Sequence, residues 1–398
     1  MPQNINLITL SLSLLVVLLI SKLLLVKNEL TKLESSTNTD PIVVEKECER
    51  APIDPNQKSS ISSNLLTDMM YTHPEQPLIR GRPFSGLENW GHLLREYLDH
   101  PTITPDPATD NIKPQLVTGL SANHFEEHKA AMEKVFTHFR NPDNTPAKVI
   151  VYDLGIDIRQ LKYYRTNPQL ELRKFDFSKY PEEVKWLTNM SFKVLILREC
   201  LMEFGSCLWF DTSIEFHKNS TELVKKYVYE RGSSFIYYIK PAMHNPAWAT
   251  HPIMYAYLPS NITKMVKQSY PMCQGGAHIT VNTEDLKHHV MKWAIACAVT
   301  PECIAPNYPV SELRTDYGTR YNPWGEFEIR HCDKKNPPGR PFNCHRFDQS
   351  MWMILVTNLY DYNASKFRAN LNDIIAMPNR TLADDKMQRP SWKLKGRK

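Results

Sequence analysis

The chain has 398 residues, 42% hydrophobic and 23% charged, a balance that requires a sizeable buried core and excludes general disorder. Its net charge of +5 comes from 48 Lys and Arg scattered among 43 Asp and Glu, so no basic stripe exists and nucleic-acid binding is set aside. The length fits one large domain with accessory segments.

After a short tail of residues 1–6, the first predicted element is a membrane span over residues 7–26. Leu7 to Ser21 carries no charge, and Leu23 to Val26 extends the run past Lys22, whose ammonium can snorkel to the interface. No positive charge precedes the run and no small-x-small site follows it, which favours an uncleaved signal anchor over a cleaved signal peptide. Lys22, Lys27 and Lys32 flank its C-terminal side, and the positive-inside rule taken alone would leave the following domain in the cytosol.

Two features argue for the lumen. Glycosylation sequons occur at Asn189, Asn219, Asn261, Asn363 and Asn379. Among the eight cysteines, Cys297 with Cys303 and Cys332 with Cys344 would close short loops as disulfides, whereas no CxxC pair starts a zinc site. The expectation is a single-pass type II protein of the ER or Golgi membrane with a lumenal, glycosylated domain; the oligomeric state stays open.

Residues 27–114 read as a stem, because ten of the 29 prolines fall between Pro41 and Pro114 among Ser, Thr, Asn and Asp. Within it, Leu87, Trp90, Leu94 and Leu98 predict a short amphipathic helix over 87–98 that docks on the main domain. From Gln115 the pattern becomes strands alternating with helices. A strand in QLVTGL leads to a helix capped by Asn123 with Glu126 three residues on, as in a capping box, and carrying Phe125, Met132, Val135, Phe136 and Phe139 on one face. The strand Val149 to Tyr152 follows, then a third over Leu170 to Phe177. Next comes a helix with Trp186, Met190, Val194, Leu197, Leu201 and Phe204 at spacings of three and four, ended by Gly205. The fourth strand, Cys207 to Phe210, is continuously apolar, as a central strand covered on both faces must be. The predicted fold is α/β, a mostly parallel mixed sheet flanked by helices.

The second half is less regular. A strand over Phe235 to Ile239 leads to a loop rich in His, Pro and aromatics, then Gly275-Gly276 and a strand over Ala277 to Val281. Asn282 or Thr283 caps a helix presenting Leu286, Val290, Trp293, Ala294 and Cys297, and a last helix starts near Asp348 and includes Met351, Trp352, Leu355 and Leu359. The domain runs over 115–375, and 376–398 form a basic tail.

In open α/β sheets ligands bind beyond the carboxyl ends of the strands, which singles out Asp211-Thr212-Ser213. A carboxylate there can hold a hard divalent cation bridging two phosphates, or can simply cap the next turn. Glu284 and Asp285 are candidate general bases toward an acceptor hydroxyl, the alternative being acids that complement a helix dipole. His278 points toward a ligand or packs in the core. Gly275 and Gly276 let backbone approach a sugar or phosphate, or form a tight turn. His244, Trp248, His251, Tyr255 and Tyr257 have the character that stacks on sugars, with part of the set expected in the core. VIVYDLG alone would suit a Rossmann-type methyltransferase, but the turn after the first strand offers only Gly119.

Taken with the order of elements, Leu208-Trp209-Phe210-Asp211-Thr212-Ser213 resembles the Asp-x-Asp segment of the GT-A glycosyltransferase fold, with Ser213 in place of the second acid. His345-Arg346-Phe347-Asp348-Gln349-Ser350 is similar to the Asp-Gln-Asp helix start of retaining transferases of the glycogenin type, with Ser350 in place of the last acid. The wider set VIVYDLG, KFDFSKYP, LWFDTS, HPIMYAYLP, NTEDLKHHVMKWAIACA and HRFDQS, over roughly Gln115 to Tyr360, resembles a nematode-expanded family of single-pass membrane proteins carrying a domain of unknown function. The resemblance implies the GT-A relationship and a secretory-pathway anchor without supplying a reaction; the leading expectation is a transferase moving a hexose from a nucleotide diphosphate sugar to a glycan or glycoprotein. In that reading Asp211 and His345 hold a Mn or Mg ion; Asp211, Ser213, Gly275, Gly276 and Gln349 bind the donor; Asp348 and Glu284 take part in catalysis; and His244, Trp248, His251 and Tyr255 bind the acceptor. The departures at Ser213 and Ser350 point instead to a membrane-anchored glycan-binding or scaffolding protein on a degenerate transferase fold.

Overall fold

The computed structural model describes residues 69–73, 76–239, 245–247, 249–267, 272–306 and 345–378. The anchor segment, Cys332, Cys344 and Asn379 lie outside the described residues. Among those described, no helix is long and apolar enough to cross a membrane.

A two-stranded ribbon, β1 (Thr72–His73) and β2 (Gln76–Arg80), precedes helix α1 (Leu87–Asp99). The central sheet then begins with β3 (Gln115–Leu120), followed by α2 (Phe125–His138), β4 (Val149–Asp153), β5 (Leu170–Lys174), α3 (Ser191–Phe204) and β6 (Ser206–Phe210). Strands β3 to β6 are mutually parallel, in the spatial order β5-β4-β3-β6. After β7 (Ile214–Phe216), β8 (Phe235–Tyr237) and β9 (Ala277–Val281) complete the sheet, with β9 antiparallel to both β6 and β8. Helix α4 starts at Glu284–Leu286, passes through a π-helical turn at Lys287–Met291 and ends as Lys292–Ala298. Helix α5 is Asp348–Leu359, and β10 (Ala376–Pro378) pairs antiparallel with β7. The architecture is a parallel-dominated mixed sheet, as expected for an α/β chain of this patterning.

Alternate strand residues feed two cores. Val117, Ile150 and Trp209 face the layer of α1, α3, α4 and α5, while Leu116, Val149, Val151, Leu208 and Phe210 face α2 and the β7–β10 ribbon. Burial on both faces is the reason these strands read as continuous apolar runs. The sequence of connections reverses direction between β3 and β6, so the crevice beyond their carboxyl ends is the topological switch point.

Several local expectations are corrected. Helix α1 forms over the predicted residues and docks on the main domain as expected, so what changes is the boundary: Leu87, Leu93, Leu94 and Tyr97 are buried, the Tyr97 hydroxyl donates to Asn282 Oδ1, and Arg198 Nε donates to the Leu93 carbonyl. The folded unit therefore begins well before residue 115. The third strand stops at Lys174, where Asp176 caps a 3₁₀ turn. Helix α3 starts at Ser191, later than its apolar period suggests, because Met190 adopts a left-handed conformation (φ 60°). Asn123 makes no capping box; a 3₁₀ turn at Ala122–His124 precedes α2 and the Asn123 amide oxygen accepts from Ser121. Strand β8 ends at Tyr237, two residues short of the predicted Ile239. Two expectations hold: Gly205 (φ 69°) terminates α3, and Thr283 caps α4 through a bond from the Leu286 amide. The predicted Cys297–Cys303 disulfide is present, and a second one, unanticipated, joins Cys200 at the end of α3 to Cys207 at the start of β6.

Candidate functional site

Strand β6 delivers Asp211 one residue beyond its carboxyl end, beside the turn that opens β9. The Asp211 amide donates to the Gly276 carbonyl at 2.7 Å, closing the first rung beyond the β6–β9 pairing. A β-carbon at Gly276 would stand 3.3 Å from Asp211 Oδ2 and 3.2 Å from Ile214 Cδ1, and one at Gly275 would stand 3.6 Å from Asp348 Oδ2. The double glycine thus keeps backbone close against both carboxylates.

Asp348 reaches the same point from the first turn of α5. Phe347 before it has φ 47° and ψ −117°, a strained conformation for a non-glycine residue, and the strain sits where it sets the direction in which α5 enters the site. Gln349 Nε2 donates to the Cys273 carbonyl at 2.6 Å, tying α5 to the segment before the double glycine.

Between the two acids stands Lys193, from the first turn of α3. Its Nζ donates to Asp211 Oδ1 at 2.7 Å and lies 4.0 Å from Asp348 Oδ2, and the indole of Trp209 donates to the same Asp211 Oδ1 at 3.0 Å. The Lys193, Asp211 and Asp348 side chains are 12%, 33% and 7% exposed, so Asp211 is the most exposed of the three. Burial pushes the Asp348 carboxyl up to about 6, opposed by the Lys193 charge and reinforced by Asp211; Arg346 also acts on it electrostatically.

Whether these residues suit a divalent ion can be judged from their donors. Mn²⁺ and Mg²⁺ require several oxygen ligands at about 2 Å. Asp211 Oδ1 is already committed to an ammonium and an indole. His345 is buried with both ring nitrogens in use: Nδ1 accepts from the His251 amide and Nε2 donates to the Ile304 carbonyl, each at 3.1 Å. Ser350 Oγ donates to the Ala249 carbonyl and accepts from the Arg346 amide. Among the described residues no group of three or more His, Cys, Asp or Glu is placed to hold a metal. The set does not fit a Mn or Mg centre, and the assignment of His345 as a ligand is corrected.

Other sequence-predicted residues lie elsewhere. Because β9 runs antiparallel to β6, its first residues adjoin Asp211 and its last lead to the opposite edge of the sheet, so Glu284 at the start of α4 is a sheet's height away. Glu284 is exposed, bonded to Thr102 and 3.1 Å from His288 Nε2, and the Thr102 bond lowers its pKa, all contrary to a general base. His251 caps the short helix Pro252–Tyr257, accepting from the Ile253 amide; Tyr255 is buried with its hydroxyl against Met265 Sδ, and Tyr257 packs on Phe84. These three serve the interior and not an acceptor surface. His244 and Trp248 lie outside the described residues. His278 stacks on Phe235 at 4.7 Å, is held neutral by burial and is a core residue. Ser213, two residues beyond Asp211, is half-buried.

Lys193 is the site residue that sequence reasoning missed, although a signal existed. A lysine in the first turn of an apolar helix opposes the helix dipole and has to be compensated by a nearby anion. Trp209 and Arg346 stood inside the quoted motifs without a role.

A protein-family model described as "Protein of unknown function (DUF1647)" matches residues 57–198. No curated protein matches the chain. Solved structures similar to it include the galactosyltransferase LgtC with donor and acceptor sugar analogs, 11% identical over 47% of this chain and 70% of that one, TM-score 0.32. Mouse xyloside xylosyltransferase 1, apo form, is 9% identical over 65% and 85%, TM-score 0.37. The mannosyltransferase Ktr4p from S. cerevisiae in complex with GDP is 10% identical over 58% and 75%, TM-score 0.31. At such identities and TM-scores none of them bears on the chemistry of this cleft; its side chains do.

Proposed function

We propose that this chain is a GT-A-type glycosyltransferase that moves a hexose from a nucleotide diphosphate sugar to a glycan or glycoprotein acceptor. The observation that supports this reading is the convergence of Asp211, Asp348, Lys193 and the Gly275-Gly276 backbone at the switch point of the sheet. That crevice is where open α/β sheets take phosphorylated ligands. In this reading the cationic side chains stabilise the leaving diphosphate, Gly275 and Gly276 admit the donor close to backbone, and Asp348 contacts the donor sugar. Residues 7–26 anchor the protein in the ER or Golgi membrane with the domain in the lumen, a placement favoured by two disulfides among the described residues.

The test is turnover of UDP- and GDP-hexoses by the purified chain, reading donor hydrolysis and transfer to glycans. Asp348→Asn should reduce turnover by roughly 100-fold while changing donor binding less. Folded protein that neither binds nor turns over any nucleotide sugar would refute the proposal. It would favour a glycan-binding or scaffolding protein on a degenerate transferase fold, the second reading, supported by Ser213 and Ser350 at the two positions where further acids would stand. Binding to immobilised glycans without nucleotide identifies that case.

A further inference from the structure

Lys193 is an expensive residue where it stands. It is a nearly buried cation, in the first turn of a helix whose amino end already carries partial positive charge, and both effects oppose it. Two carboxylates compensate, at 2.7 and 4.0 Å. The ammonium therefore occupies the gap between the strand-end acid and the helix-start acid, the place from which a divalent ion would bridge both. A second cation, Arg346, acts on Asp348 from two residues away. Two side-chain cations against two carboxylates give the same net charge as one divalent ion against the same pair. An ion at Asp211 would have to displace the ammonium or sit beside it, and two cations sharing one carboxylate repel strongly in a partly desolvated cleft.

We propose that Lys193, supported by Arg346, replaces the divalent cation of this site, so that the protein binds a nucleoside diphosphate without metal. The inference rests on the transferase reading and deepens it. Asp211 becomes a positioning residue that holds the ammonium toward the cleft, and Trp209 steadies Asp211 through the indole bond. In this reading the Lys193 charge, held at the cleft by Asp211, is what the diphosphate oxygens meet.

The experiment is calorimetric titration of the purified full chain with UDP, GDP, CDP and ADP, in EDTA and again with Mn²⁺. The expected result is that at least one binds with a Kd that differs less than about twofold between the two buffers. Lys193→Met should weaken that binding at least tenfold in both, the size of effect expected when a charge-assisted hydrogen bond is lost, and Lys193→Arg should largely restore it. A tenfold or greater gain from Mn²⁺ in the wild type would overturn the inference while leaving the transferase reading standing. Binding by Lys193→Met equal to wild type would also overturn it. Should Lys193→Met fail to fold, the wild-type comparison between EDTA and Mn²⁺ decides alone. Folded wild-type protein that binds none of the four in either buffer would overturn the inference and the transferase reading together.

Discussion

Three histidines make the fold sensitive to acid. His128, His278 and His345 are buried, and burial depresses each to about 3, so all are neutral in the folded chain. His128 is the extreme case, with no hydrogen-bond partner on either ring nitrogen and its ring stacked on Tyr164 at 5.7 Å. In the unfolded chain each regains a pKa near 6.5. A base whose folded pKa is lowered contributes stability that is fully present above 6.5 and lost as pH falls from there toward 3. Between pH 7.5 and 5.0 each histidine removes about 2 kcal/mol and the three together about 6 kcal/mol. Asp348 works in the opposite sense: its folded pKa of about 6 lies above the unfolded value, so it returns about 1 kcal/mol over the same range. His251, which burial lowers to about 4, removes about 2 kcal/mol more, and the net loss of about 7 kcal/mol is a large part of the total stability of an ordinary domain. Urea unfolding followed by tryptophan fluorescence at the two pH values measures it. His128→Phe keeps the ring against Tyr164 and should reduce the pH-dependent loss by about 2 kcal/mol. Equal unfolding midpoints at pH 7.5 and 5.0 in the wild type would refute the assignment of neutral buried imidazoles.

Replacing Cys200 and Cys207 by serine should cost about 2 kcal/mol from the short closed loop, read as a lowered urea midpoint under non-reducing conditions. If the domain is lumenal, Asn219 and Asn363, both exposed, should carry glycans, whereas Asn189 is buried with its amide donating to the Glu183 carbonyl and accepting from Ser191. Asn219→Gln and Asn363→Gln should then each abolish one endoglycosidase-sensitive mobility step and Asn189→Gln none; insensitivity of the wild type would place the domain outside the lumen. Trp352→Ala, which empties one of the largest fully buried side-chain sites, should cost about 3–5 kcal/mol in the same urea assay.

What local pattern decides was legible from residues alone. Strands β3, β4 and β6 and helices α1 and α5 follow from continuous apolar runs and from spacings of three and four, because each is buried on the faces those patterns mark. Gly205 and Thr283 end and start their helices for reasons that lie within a few residues of chain. Asp211 was legible as a strand-end acid, and Asp348 as the acid that opens the last helix. The cysteine pair 297 and 303 was legible because only six positions separate it.

What depended on the direction of a strand or the packing of one helix on another was not legible. Glu284 read as a general base by residue type and position, yet β9 lies antiparallel to β6 and carries it to the end of the sheet opposite Asp211. His345, His251 and Tyr255 read as ligands of a metal or a sugar by residue type, yet their polar atoms are taken up by nearby backbone or sulfur, which no spacing reveals. Cys200 and Cys207 are nearly as close in the chain as Cys297 and Cys303, but one lies in a helix and the other in a strand, and they meet because the turn at Gly205 folds β6 back on α3. Lys193 acquires its meaning the same way: 18 positions before Asp211 in the chain and far from Asp348, it lies between them only because α3 crosses the sheet at its switch point and points its first turn at the carboxyl end of β6. A charge in an apolar helix is a local anomaly that sequence can show; the partners that stabilise it are set by tertiary packing, since electrostatic contact depends on distance in space and not on separation along the chain.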